Sequence, residues 1–280
     1  MTRGLILGGG GLFGIGWEVG ILWGLEAAGV SLKNADLVVG TSAGSVAGSL
    51  LLQTESLLQT FDDYQDTAST GREIVVDFDT IAWQKNIASV VSGAKDEQEL
   101  RRRIGRWAID AKTISETTRL DAIKSRLISD SWPSSTLAIT AIDAFSGDLM
   151  VFTAESKVAI ALAVAASCAV PGVWPPVTIG SHRYIDGGMR SPINSDLAAG
   201  IATVLVLLPN LAGGRAAQAV EKGINDLKMG ASDVLVIASD DRSNSTAGDN
   251  PLDPTVRGPA ALAGFLQGQK AALQVASFWK

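Results

Sequence analysis

Gly4-Leu5-Ile6-Leu7-Gly8-Gly9-Gly10-Gly11-Leu12-Phe13-Gly14 opens the chain, and Leu37-Val38-Val39-Gly40-Thr41-Ser42-Ala43-Gly44 follows after one helical pattern. Each stretch is a short apolar run that ends in glycines and leads into helical periodicity, the signature of strand, tight turn and helix. The first helix is expected over about Phe13–Ala28, stopped by Gly29, and the second from just after Thr41 to about Leu52. Two such units in succession predict an α/β fold with a central, mostly parallel sheet. Gly16, Gly20 and Gly24 recur every fourth residue. They strip side chains from one face of the first helix, so that it can lie close against a sheet.

The same rhythm returns later in the chain. Leu137–Ala141 and Leu149–Phe152 read as strands joined by Phe145-Ser146-Gly147-Asp148, followed by a helix over Val158–Ala166. Val177–Ile179 and Arg183–Ile185 form an expected hairpin around Gly180-Ser181-His182,. Val204–Leu208 and Val234–Ile237 are buried-type strands with a helix near Ala216–Lys228 between them, and a last helix covers about Ala260–Phe278. Residues 55–135 depart from this pattern. They carry more charge and hold Trp83, Trp107 and Trp132, with helical patterns near Glu97–Ile109 and Thr117–Ile128. The expectation is a single domain over 1–280 in which 55–135 is a divergent helical insertion or lid.

Composition narrows the function. A chain of 280 residues buries roughly three-quarters of its unfolded surface and needs no covalent staple. A net charge of -6 lacks the excess of basic residues that neutralises phosphates, so no nucleic-acid partner is expected. Cys168 and His182 are the one cysteine and the one histidine. Together they exclude a disulfide framework and a Cys/His zinc site, and they suggest a reducing compartment. The apolar start is too glycine-rich for a signal-peptide core, and Glu18 and Glu26 interrupt any span from Leu5 to Val30,. The expected location is cytoplasmic.

Three motifs carry chemistry. Gly9-x-Gly11-x-x-Gly14 opens the first helix. It fits a dinucleotide-binding turn, a turn that only permits close packing, or a cradle of amides aimed at one oxyanion. The dinucleotide reading needs an acidic residue closing the second strand, whereas Asp36 stands at that strand's beginning. Gly40-Thr41-Ser42-Ala43-Gly44 has the form of a nucleophile elbow, in which flanking glycines allow a strained turn that lifts Ser42 above the sheet,. A nucleophilic serine needs a base. His182 sits in an expected turn, where ordinary turn chemistry explains it, while Asp186 ends a strand ahead of Gly187 and Gly188, which leave its approach unobstructed.

In identity and order these motifs resemble the patatin-like acyl hydrolases. Gly9–Gly14 looks like that family's oxyanion loop, and Gly40–Gly44 like its elbow. Ser167-Cys168-Ala169-Val170-Pro171-Gly172 looks like its Ser-x-x-(Ile/Val)-Pro-Gly stretch, which leads into Tyr184-Ile185-Asp186-Gly187-Gly188. The resemblance covers about residues 3–53 and 137–200 well, the C-terminal part loosely and 55–135 not at all. It implies a three-layer sandwich and a Ser42–Asp186 dyad without histidine. It also implies an oxyanion hole from Gly9, Gly10 and Gly11, with Gly14, Gly40, Gly44, Gly187 and Gly188 in support. The implied reaction is cofactor-free hydrolysis of fatty acyl esters of lipids. Phe13 stands where many relatives carry a basic residue, and the missing cation disfavours a phosphate head group.

From another functional class, the first glycine loop also suits a non-catalytic lipid- or dinucleotide-binding protein. Arg101-Arg102-Arg103-Ile104-Gly105-Arg106-Trp107 suits transient contact with a membrane surface. Glu97 and Glu99, four residues before Arg101 and Arg103, equally give the helix ordinary surface pairs,. Asp240, Asp241, Asp249 and Asp253 lack the spacing of an EF-hand loop,.

Overall fold

The computed structural model describes residues 1–66, 73–133, 136–209 and 213–280. β1 (Arg3–Leu7), α1 (Gly11–Ala27), β2 (Leu37–Thr41) and α2 (Ala43–Gln53) form the two expected strand–turn–helix units. α3 (Leu58–Gln65), α4 (Thr80–Val91), α5 (Glu97–Asp110) and α6 (Glu116–Lys124) make up the helical segment 55–135, of which 67–72 and 134–135 lie outside the described residues. Three of its four described helices carry a side-chain N-cap. Asp79, Asp96 and Ser115 accept the amides of Ala82, Glu99 and Thr118 at the N-termini of α4, α5 and α6, and α4 has no buried residue,.

The core pattern resumes with β3 (Leu137–Asp143), β4 (Leu149–Phe152), α7 (Ile160–Ser167), and the hairpin of β5 (Val177–Ile179) and β6 (His182–Asp186). It ends with β7 (Thr203–Leu208), α8 (Arg215–Met229), β8 (Asp233–Ala238), the short α9 (Asp241–Asn244) and α10 (Arg257–Phe278). Among the described residues eight strands form one sheet in the order β5-β6-β3-β2-β1-β7-β8, with β4 also paired to β3. β3, β2, β1, β7 and β8 are parallel. Alternation along β1 assigns the layers: Leu5 and Leu7 join a core shared with α1, α2, α7 and α10, while Ile6 points to the opposite face, covered by α8,. α5 extends that second face with Leu100, Ile104 and Ala108 against Ile142 and Ile185.

The glycine face of α1 meets a helix, not the sheet. A Cβ on Gly16, Gly20 or Gly24 would collide with the carbonyl oxygens of Arg257, Ala261 or Phe265 in α10. In return, Gly264 and Gly268 accommodate the Trp17 and Ile21 backbone. Small residues on both partners let two backbones touch, as spacing of four does between helices generally. A one-chain periodicity shows a bare face but not what covers it, which is why the expected partner was wrong. Among the described residues, no helix is long and apolar enough to cross a membrane. Glu18, which breaks the apolar run in sequence, is fully buried, and burial holds its carboxyl well above the usual range.

Candidate active site

The sheet's hydrogen-bonding register brings Ser42 and Asp186 together. β4 occupies one edge of β3 over residues 139–142. β2, paired over 137–140, and β6, paired over 141–143, must therefore share the other edge. They run toward each other along it. Thr41 pairs with Thr140, and Asp186 with the next residue, Ala141. Consecutive positions on a strand are roughly 3.3 Å apart along it, so the two strand ends abut where Ser42 and Asp186 stand.

Ser42 has the backbone of a nucleophile elbow. Its φ of 51° lies in the left-handed region that L-residues avoid,. The turn persists because its surroundings hold it. The Ser42 amide donates to Ser167 Oγ at 2.8 Å, and its carbonyl accepts from Ser45 Oγ at 2.7 Å and Cys168 Sγ at 3.3 Å. Gly44 fits under the elbow because a Cβ there would collide with the Leu7 carbonyl, and its amide donates to the Gly8 carbonyl at 3.0 Å. The elbow and the glycine loop after β1 are thus fastened to each other.

The stretch Ser167–Gly172 clamps both halves of the site. Ser167 and Cys168 hold Ser42, and the Ala169 carbonyl accepts the Asp186 amide at 3.0 Å. Gly172, at φ 77°, leaves room for the Trp107 ring against its backbone. Gly187 is required by close approach, because a Cβ would collide with Thr140 Oγ1. Gly188 donates its amide to Asp186 Oδ1 at 2.7 Å.

Asp186 is 3 % exposed. Burial pushes its carboxyl up to about 6, although the Ser42 hydroxyl, the Gly188 amide and the Arg119 charge each favour the ionised form,. A buried carboxylate with that affinity for a proton, facing a serine hydroxyl, has the properties of a general base near neutral pH. His182 stands apart from it. It opens β6, four residues before Asp186 and roughly 13 Å away at the rise of a strand. Its Nδ1 lies 2.5 Å from Asp143 Oδ2 on a half-exposed surface.

The glycine loop divides its amides. Gly9 lies against Ser42, but its amide donates to the Pro192 carbonyl at 2.9 Å, which removes it from the expected set of free donors. The amides of Gly10 and Gly11 meet no acceptor among the described residues. Gly10 caps α1 and Gly11 is its first residue, so both are among the donors that a helix N-terminus leaves open,. Phe13 donates its amide to the Pro251 carbonyl at 3.0 Å, and Leu252 packs onto Gly11. An acceptor oxygen therefore occupies part of the place a dinucleotide pyrophosphate would take. Asp36 accepts the Arg3 amide at 2.7 Å at the far end of β2, where no ribose bound at the glycine loop would reach it.

Beneath Ser42 and Asp186 lies a polar group that sequence reasoning missed. Asn194, fully buried and at φ 41°, places its Nδ2, with two N–H donors, within 2.8–3.3 Å of Thr41 Oγ1, Thr140 Oγ1 and the carbonyls of Gly187 and Ser191,. It ties β2, β3 and the turn after β6 together. No spacing rule relates an asparagine to a threonine so far upstream. Arg119 was missed for the same reason: α6 brings its guanidinium to the cleft beside Ser42, stacked 3.7 Å over the Trp174 ring. The basic run of α5 is a surface: Arg103 pairs with Glu99 at 2.6 Å, Arg101 donates to the Gly147 carbonyl at 2.6 Å, and Glu97 pairs with Arg215 instead of Arg101. Asp240 and Asp253 cap short helical turns.

Comparison with known proteins identifies the family of the chain. The family model of patatin-like phospholipase matches residues 5–199. No curated protein matches the chain in sequence. Among solved structures, VipD from Legionella pneumophila is 14% identical with a TM-score of 0.47, the alignment covering 98% of this chain and 67% of VipD. ExoU, in its complex with SpcU from the type III secretion system of Pseudomonas aeruginosa, is 18% identical with a TM-score of 0.38, covering 96% of this chain and 52% of that one. The chain thus spans about half the length of ExoU. With the family model matching well over half its length, the chain belongs to the patatin-like phospholipases, a family of lipid acyl hydrolases.

Proposed function

We propose that the chain hydrolyses carboxylic esters of fatty acyl groups through a Ser42–Asp186 dyad. The observation that carries this is the meeting of a strained Ser42 with a buried carboxyl raised to about 6, beside two unengaged amides. Asp186 accepts the Ser42 proton as Oγ attacks the ester carbonyl, and the C=O electron pair moves onto oxygen. The amides of Gly10 and Gly11 stabilise that oxyanion; each such donor is worth on the order of 3 kcal/mol. Collapse expels the alcohol, which takes the proton from Asp186. Water then attacks the acyl-enzyme by the same route and releases the fatty acid.

The cleft beside Ser42 encloses only about 20 Å³, room for about one water,. Arg119 and Trp174 line it, as does Leu252. An acyl chain enters only when these walls part, which assigns α6 and the loop carrying Leu252 the part of a lid over the site. This reading adds contact with a lipid surface as the condition for opening.

Intact-mass labelling with a fluorophosphonate tests the proposal. One adduct per chain, absent in Ser42→Ala and faster with detergent micelles, is the expected result. A folded wild type that stays unlabelled in both conditions would leave a non-catalytic lipid-binding protein.

A further inference from the structure

Arg119 is 4 % exposed, and its Nε and Nη1 are buried without a hydrogen-bond partner among the described residues. Stacking on Trp174 engages the flat face of the guanidinium but none of its in-plane donors,. A guanidinium with a purely structural role would turn its donors to solvent or to a carboxylate, because a desolvated donor left unpaired is costly. Two carboxylates act on it electrostatically, Glu73 and Asp186. Both are committed elsewhere. Glu73 is held by Arg126 through bonds of 3.0 and 2.6 Å and by Arg257 at 2.7 Å, while Asp186 takes the Gly188 amide at 2.7 Å.

Arg119 also lines the cleft that Ser42 lines. We propose that Arg119 binds an anionic group, phosphate or carboxylate, carried by the substrate near its scissile ester, and so sets a preference for anionic over neutral acyl compounds. The inference rests on Ser42 marking the substrate site. It returns to the site the cation that Phe13 leaves out of the glycine loop, and supplies it from α6 of the helical segment. Burial and the neighbouring Arg126 charge pull Arg119 down to about 9, so it stays protonated at neutral pH and ready for an anion.

The test uses binding, so that it does not depend on turnover. Isothermal titration of the full chain with hexyl phosphate, hexanoate, hexanol and inorganic phosphate separates the sources of the anion. The expected result is that at least one hexyl anion binds about tenfold or more tighter than hexanol, the low end for a charge-assisted hydrogen bond. Tighter binding of hexyl phosphate alone names a phosphate as the group read, and of both anions any oxyanion. Arg119→Met removes the preference, and Arg119→Lys, with the charge but not the fork, restores part of it. Hexanol binding as tightly as the anions, inorganic phosphate binding as tightly as hexyl phosphate, or a preference unchanged in Arg119→Met overturns the proposal. If circular dichroism shows Arg119→Met unfolded, the wild-type ratios and Arg119→Lys decide. Loss of fluorophosphonate labelling would instead refute the hydrolase reading and leave these ratios to judge Arg119 alone.

Discussion

Replacing Asp186 by asparagine should destroy the proposed activity and stabilise the fold. Asp186 binds its proton more tightly folded than unfolded, its pKa raised by burial from 3.8 to about 6. Between those values the folded state holds more protons, so stability falls as pH rises through that window and stays low above it. A gap of about two pH units, at about 1.4 kcal/mol each, makes the ionised carboxylate cost about 3 kcal/mol at pH 8. Asparagine carries no charge to desolvate, and its Oδ1 can still accept the Gly188 amide now bound at 2.7 Å. For 280 residues unfolding entropy scales so that 3 kcal/mol raises Tm by about 5 °C. Urea unfolding of wild type and Asp186→Asn at pH 8 and pH 4, beside fluorophosphonate labelling, measures both effects. The variant should be more stable at pH 8, with most of the advantage gone at pH 4, and should not label. A variant less stable than wild type at pH 8, or an advantage equal at both pH values, would refute the argument that burial of this charge is what costs stability.

Three further outcomes follow from the same geometry. Since Asp186 must be ionised to take the Ser42 proton, kcat/KM for a soluble ester should rise with pH and level off above about 6,; a flat profile from pH 5 to 8 would place the base elsewhere. Ser42→Gly should be more stable than Ser42→Ala by about 1 kcal/mol, because glycine adopts a φ of 51° without the strain alanine keeps,; equal stabilities in urea would show the elbow to be unstrained. Gly44→Ala should lose about 1–3 kcal/mol in the manner of overpacked cores, since its Cβ meets the Leu7 carbonyl at the junction of β1 and α2,; a change in urea midpoint too small to measure would contradict the close approach.

Much of the fold was legible because its signals are local. The runs Gly4–Leu7 and Leu37–Val39 appear as β1 and β2, the hairpin around Gly180 forms as read, and α5 and α6 start near the expected residues, while α3 and α4 were not read from the sequence. Ser42 was legible too, because an elbow is a property of five neighbouring residues: glycines on both sides, and a φ that only a held turn tolerates. The four-residue glycine period of α1 announced a close contact, while its partner lay more than 230 residues along the chain in α10.

The amino-acid order therefore specifies most of the strands, turns and helices, and which serine stands on a positive-φ turn, since steric limits on φ and the periods of side-chain direction act over a few residues,. Which acid faces that serine was decided by tertiary structure. Asp186 meets Ser42 because β2 and β6 share one edge of β3 and run toward each other. The same is true of which amides remain open, since Gly9 loses its donor to Pro192 and Gly10 does not. It also holds for Arg119, whose buried guanidinium faces the cleft because α6 docks against α7. Each of these depends on contacts between distant segments, and on burial that changes a charged group's free energy by kilocalories per mole, quantities that no window of neighbouring residues contains.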